Sequence, residues 1–227
     1  MRYESCGMSA ADRAYAFTKE RILAGDFTQG QLIGEGEVSD AVGVSRTPVR
    51  EAFLRLEAEG ILHLYPKRGA LVVPISAADV EDVMETRLLI ERFAIGRVIE
   101  LDLELEDRLG ESIAAQERHA AAADAVGFVD ADREFHRVFV AATGNAIVLQ
   151  MHDSLRDQQN RMGLAALSRS DDRIARILKE HRAIVKAVTK GEPAAAKALI
   201  EAHLEETHRL LRRASLSRSP LRQSSSS

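Results

Sequence analysis

Four side chains with metal-ligating chemistry stand at intervals compatible with a single cluster: Asp132, His136, His181 and His203. Asp132 and His136 are four residues apart, so on a helix they share one face, a turn apart. His181 lies in the apolar stripe of Ile174, Ile177, Leu178, Ile184, Val185 and Val188, and His203 in that of Leu199, Ile200, Leu204, Thr207 and Leu210. Three helices would then aim nitrogen and oxygen donors inward, a set suited to a divalent transition metal. Spacing alone leaves a second reading open, in which each histidine is a core residue satisfied by a hydrogen bond. A different chemistry is carried by Arg46, Thr47 and Arg50 with Lys67 and Arg68 further on. Arginine forks can reach guanine edges or phosphates, while the lysine and arginine of a loop tip suit phosphate contact. The alternative for these cations is an ordinary solvated helix face.

The elements that must hold these groups follow from apolar periodicity and punctuation. Val49, Ala52, Phe53 and Leu56 recur at helical spacing and place Arg46, Thr47 and Arg50 off the buried stripe. Pro48 suits a first helical turn, Ser45 or Thr47 can cap it, and Gly60 ends it. Upstream, helices are predicted over 11–24 and 35–42, the second closed by Gly43. Downstream, two β-prone runs, 61–65 and 70–74, are bridged by Pro66, Lys67, Arg68 and Gly69. Helix, helix, turn, helix and hairpin make a winged helix-turn-helix over 9–74, with its third helix set for a major groove. Residues 75–78 read as a linker with Ser76 as an N-cap. Beyond it the chain reads as all helix, over 77–100, 104–123, 126–143, 146–166, 171–190 and 193–214. The serine- and arginine-rich tail, 215–227, has little to bury and reads as disordered.

The stretch from Gly43 to Ala52 (Gly-Val-Ser-Arg-Thr-Pro-Val-Arg-Glu-Ala) and that from Leu56 to Gly60 (Leu-Glu-Ala-Glu-Gly) resemble the DNA-binding signature of the GntR family of bacterial transcription regulators. The segments Asp132-Arg133-Glu134-Phe135-His136, Gly144-Asn145, Glu180-His181-Arg182-Ala183-Ile184 and Ala202-His203-Leu204 resemble the FCD effector domain of its FadR-type subfamily. The chain departs from the family at Gly36, where some relatives carry an arginine, and in the loop 27–30, which lacks the usual proline. The resemblance implies a mainly α protein, a winged helix-turn-helix followed by an antiparallel bundle of about six helices over 79–214. It implies DNA contacts from Ser45, Arg46, Thr47, Arg50, Lys67, Arg68 and Gly69. It also implies that Asp132, His136, His181 and His203 hold a divalent metal, zinc or nickel, either as a closed structural site or with positions open for a small organic acid. Arg87 matches an arginine often found in this domain and can pair with such an anion; its other reading is a surface ion pair with Glu91. Asn145 can line the same pocket or cap a helix. The implied protein is a cytoplasmic, nucleoid-associated homodimeric repressor on an inverted-repeat DNA operator, responsive to a small anionic metabolite.

Composition narrows the classes. With 227 residues the chain has room for two modest domains, and no run of about 18 apolar residues marks a membrane span. Residues 1–10 lack the apolar core of a signal peptide, and the single cysteine, Cys6, excludes an intrachain disulfide and suits a reducing compartment. Net charge is −4, but from Gly43 to Gly69 five cations face three anions, so the basic footprint is small and calls for two copies. A metalloenzyme is disfavoured: di-iron bundles use paired Glu-x-x-His motifs, and only Glu205 to His208 fits one. An architectural DNA protein without an effector is disfavoured too, since inward histidines and a carboxylate are costly without a partner.

Overall fold

A computed structural model describes residues 8–167 and 172–216 and divides the chain into two units that meet between Ile75 and Ser76. Cys6 and residues 217–227 of the expected tail lie outside the described residues.

The first unit runs α1 (Ala10–Leu23), β1 (Leu32–Ile33), α2 (Glu35–Val42), α3 (Arg46–Ala58), β2 (Leu62–Tyr65) and β3 (Gly69–Val72). Ser9 opens α1 by accepting a hydrogen bond from the Asp12 N–H at 3.0 Å. Gly43, at φ 71°, gives the left-handed residue that reverses the chain between α2 and α3. The expected stripe of α3 (Val49, Ala52, Phe53, Leu56) is buried and shares one core with Ala14, Ile22, Val38, Ile33, Leu62 and Val72. The capping expectation needs correction: Ser45 stands at the N-cap of α3, but its side chain makes no cap hydrogen bond. The third residue of α3 is Pro48, whose ring removes an N–H that such a cap would bind.

The sheet has one strand more than the expected hairpin. Its order is β1-β3-β2, both pairings antiparallel, with Leu32 opposite Leu71 and Ile33 opposite Ala70. Two residues are too few for periodicity to announce a strand. Gly69 makes the approach of β1 feasible, because a Cβ there would lie 2.2 Å from the Ile33 carbonyl oxygen. The wing turn is closed by the Arg68 N–H donating to the Tyr65 carbonyl at 3.0 Å, with Pro66 second in the turn and Lys67 at φ 64°.

The second unit consists of α4 (Ala77–Glu100), α5 (Glu106–Ala121), α6 (Ala125–Ala142), α7 (Ala146–Ser154), α8 (Arg156–Leu167), α9 (Arg173–Thr189) and α10 (Pro193–Leu216). Ala77 and Ala78, expected in the linker, already belong to α4, because Ser76 and Asp79 form a reciprocal capping box. The expected helix over 146–166 is broken, so this unit has seven described helices rather than about six. The break falls at Ser154 and Leu155: the Leu155 N–H bonds back only three residues to His152, and the Ser154 hydroxyl donates to the Met151 carbonyl at 2.7 Å. α6 is the central element, packed against α4, α5, α7 and α8, while α10 lies along α4 and α9. Phe128, Phe135, Phe139, Ile95, Leu109, Ile184 and Ile200 fill the bundle and are essentially solvent-free.

Candidate functional site

The bundle brings the four expected donors together. Asp132 and His136 come from α6, His181 from α9 and His203 from α10, and their ligand atoms all lie within 4.8 Å of one another. The three imidazoles are buried, at 1 %, 0 % and 3 % exposure, and Asp132 is partly so. Phe135, the neighbour of His136 on α6, stacks on the His181 ring at 3.9 Å between centroids and fixes its plane.

Each ring is oriented from behind by an oxygen. His203 Nδ1 donates to Glu180 Oε2 at 2.7 Å, and His181 Nδ1 lies 2.8 Å from Gln116 Oε1, with the Gln116 amide N–H donating to the Ala131 carbonyl at 3.5 Å. His136 Nδ1 is in close contact with Glu91 Oε2 at 2.6 Å. An ionised carboxylate can only accept, so it places the proton on the facing Nδ1 and leaves Nε2 bare. His181 Nε2 then faces Asp132 Oδ1 at 3.6 Å and His136 Nε2 faces Asp132 Oδ2 at 3.9 Å. His136 Nε2, His181 Nε2 and Asp132 Oδ1 are buried and have no hydrogen-bond partner among the described residues. Protein interiors rarely leave such atoms unpaired.

Electrostatics favour the neutral form that a metal needs at His181 and His203. Burial pushes His181 well below the ordinary histidine range, helped by the neighbouring His203 and His136. Burial also lowers His203, against the hydrogen bond it donates to Glu180, which favours its charged form. Burial opposes ionisation of Glu91, yet Arg87 and His136 outweigh it and hold the carboxyl below its usual range. The residues present fit a divalent metal: three imidazoles, one carboxylate, and an oxygen behind every ring.

A small cavity, part of it open to solvent, adjoins this cluster. Among its lining residues are Asp132, His203, Arg87, Arg133, Gln159 and Arg173. Arg87 is no surface residue: it is 7 % exposed and its Nε donates to Glu91 Oε1 at 2.8 Å. Asn145 is elsewhere. It is exposed, N-caps α7 by accepting from the Ile147 and Val148 N–H groups, and is not among the residues lining the cavity.

Sequence reasoning did not single out Glu91, Gln116 and Glu180 as the groups that orient the histidines, nor the buried Arg133, Arg173 and Gln159. Arg173 is wholly buried, donating to both Glu180 oxygens at 3.1 Å and to the Thr207 hydroxyl at 2.8 Å. The one available signal was Glu180 directly before His181; the rest come from distant elements. His152 was missed as well: it is fully buried on α7, both ring nitrogens lack a partner among the described residues, and burial pushes it down to about 4.

In the first unit, Ser45, Arg46, Thr47 and Arg50 are all exposed at the start of α3, and Lys67 and Arg68 are exposed at the wing turn. Arg50 donates through Nε to both oxygens of Glu35, at 2.7 and 2.9 Å. Its terminal amino groups donate to no described residue, so α2 holds the guanidinium in place with its fork free. Arg46 extends over α2, where a Cβ at Gly36 would stand 3.6 Å from its Nη2. Gly69 serves the close packing of β1 described above.

A winged helix-turn-helix with exposed cations on its third helix, joined to a helical unit with a polar internal cluster, is the architecture of a transcription regulator with a separate helical domain. The family comparisons make this specific. Residues 10–72 match the model of the bacterial regulatory proteins of the gntR family, and residues 82–206 match the FCD domain. The chain belongs to the GntR family and carries an FCD domain; it is a transcriptional regulator, not an enzyme. An uncharacterised HTH-type regulator of Bacillus subtilis (strain 168), YdhC, is 30% identical over 194 residues, covering 83% of this chain and 85% of that protein. The gluconate operon transcriptional repressor of the same organism is 26% identical, over 74% of this chain and 71% of its own. A transcriptional regulator GntR from Rhodococcus sp. RHA1 shares the fold, with a TM-score of 0.75 at 22% identity, covering 91% of this chain and 99% of that one. No helix among the described residues is long and apolar enough to cross a membrane.

Proposed function

We propose that this chain is a cytoplasmic, ligand-responsive repressor that binds an inverted-repeat DNA operator as a homodimer and releases it when a small organic acid enters the helical domain. The observation that carries the sensing half is the buried cluster of Asp132, His136, His181 and His203, whose Nε2 atoms on His136 and His181 have no described partner. These four residues would hold one divalent transition metal, zinc or nickel. Bound there, the metal supplies a Lewis-acidic point of attachment for a carboxylate. Glu91, Gln116 and Glu180 keep the imidazoles turned towards it. Arg87 lines the adjoining cavity, paired with Glu91, and its guanidinium supports a role in drawing an anion in.

The DNA half rests on Arg46, Thr47 and Arg50 for base and phosphate contact and on Lys67 and Arg68 for the backbone beside the wing. Ser45 adds a free hydroxyl beside the α3 N-terminus, where partial positive charge favours a phosphate. A locally small positive surplus supports two heads acting together. Repression is supported by the relative named as an operon repressor. An effector that binds one conformation of the bundle better than another shifts the population competent for DNA, by no more than that difference in affinity.

The test uses the full chain and the DNA upstream of its own gene. Metal analysis is expected to find one ion per protomer, lost in the His136→Ala/His203→Ala double variant. Equal metal content in variant and parent removes the metal site. Footprinting is expected to show two half-sites on one DNA face; a single half-site at saturation removes the dimeric operator.

A further inference from the structure

Arg133 and Gln159 line the cavity, hold none of the histidines and are buried with polar atoms unpaired among the described residues; the buried Arg173 also has an unpaired Nε, but its terminal nitrogens are bound by Glu180 and Thr207. Arg133 on α6 is 8 % exposed; its terminal nitrogens reach Glu134 and, at 3.9 Å, Asp153, but its Nε has no partner among the described residues. Gln159 on α8 is 6 % exposed, and neither its amide oxygen nor its amide nitrogen has a partner among them. Buried donors and acceptors left unsatisfied cost about 1–3 kcal/mol each. Both residues line the cavity that Asp132 and His203 also line. A polar ligand seated there would satisfy them.

The charges around the cavity say what kind of ligand. Arg87 is matched by Glu91, and Arg173 by Glu180. Asp132 is the only anion among the four donors, so a divalent ion on them leaves one positive charge unmatched. Arg133 is matched only at its terminal nitrogens, by the half-exposed Glu134, while Asp153 is engaged by Arg137 through two hydrogen bonds of 2.7 and 3.0 Å, which leaves the buried Arg133 Nε–H without an acceptor among the described residues. An uncompensated buried charge and an unpaired buried guanidinium N–H in one cavity both favour an anion.

Building on the effector reading above, we propose that the effector is a short dicarboxylic acid bound end to end. One carboxylate sits at the metal centre. The other accepts from Arg133 Nε and the Gln159 amide, whose oxygen is left to receive a hydroxyl on the ligand backbone. Arg133 and Gln159 are thus the residues that distinguish a diacid from a monoacid.

The experiment is calorimetric titration of the metal-loaded full chain with matched pairs that differ only in the second carboxylate: malate against 2-hydroxybutyrate, glutarate against pentanoate, and adipate against hexanoate. The expected result is that at least one diacid binds about tenfold or more tighter than its monoacid partner, the gain of a charge-assisted hydrogen bond. Arg133→Gln should abolish that preference and Arg133→Lys restore part of it, while Gln159→Met provides an independent arm should Arg133→Gln fail to fold. Monoacids binding as tightly as diacids, or a diacid preference that survives in both Arg133→Gln and Gln159→Met, overturns the dicarboxylate assignment alone. No binding by any of the six acids to metal-loaded parent overturns the effector reading on which it rests.

Discussion

The same guanidinium is used in opposite ways in the two units. Arg50 on α3 is 64 % exposed, tethered by one nitrogen to Glu35 and otherwise facing water, whereas the side chain of Arg173 in the bundle is wholly buried, bonded to Glu180 and Thr207. Arg87 and Arg133 follow Arg173, and Arg46 follows Arg50. An exposed arginine contributes little to folding and is screened by salt, so its value lies in what it meets from outside. A buried arginine must be matched inside the protein, and each unmatched nitrogen is a demand for a ligand. The proposed function uses this difference: the exposed cations of the head suit a partner gained and lost with ionic conditions, and the unpaired polar groups of the bundle suit a small polar ligand.

The sharpest way to break this contrast is to unmatch a buried charge. Glu91→Ala strands Arg87 and frees His136 from its acceptor, and is expected to destabilise the helical unit by about 3–5 kcal/mol in urea unfolding; a loss below 1 kcal/mol would mean that the pair is not desolvated. A steric test of the head comes next. Gly69→Ala places a Cβ against the Ile33 carbonyl at φ 98°, with strain alone of about 1–3 kcal/mol. Amide hydrogen exchange should quicken at Val72 and its ladder neighbours and leave the bundle unchanged; unchanged exchange at Val72 would show that β1 can yield. Arg50→Ala should weaken specific operator binding about tenfold or more with the melting temperature intact. Undiminished operator affinity would remove Arg50 from the groove. The smallest effect is expected from Lys67→Ala, which should weaken binding evenly across sequences and reduce the salt slope by about 1. A change confined to one base pair would reassign Lys67 from phosphate to base.

Most of the head was legible because its signals are local. The α3 stripe, Gly43, Gly60 and the Pro66–Gly69 turn each act within a few residues, and the structure follows them. What escaped is equally physical: β1 is two residues long, and the silent Ser45 cap depends on Pro48 three positions on. In the bundle, helical periodicity placed six segments, but the break at Leu155 turns on backbone bonds within one turn that apolar spacing does not register. The chemistry of Arg87 was legible but its environment was not, since an i, i+4 pair looks alike on a surface and in a core. Asn145 shows the converse: a residue readable as pocket or cap turned out to bond its own helix start.

By itself the sequence determined the two-part architecture, the exposed polar face of α3 and the four donor types, because periodicity, capping and turn chemistry are properties of adjacent residues. The tertiary structure alone decided that the donors converge within 4.8 Å, that Glu91, Gln116 and Glu180 stand behind the rings, and that Arg133 and Gln159 are left unpaired in the cavity beside them. Convergence of this kind depends on packing between α4, α5, α6, α8, α9 and α10, and no spacing along one chain encodes which faces meet.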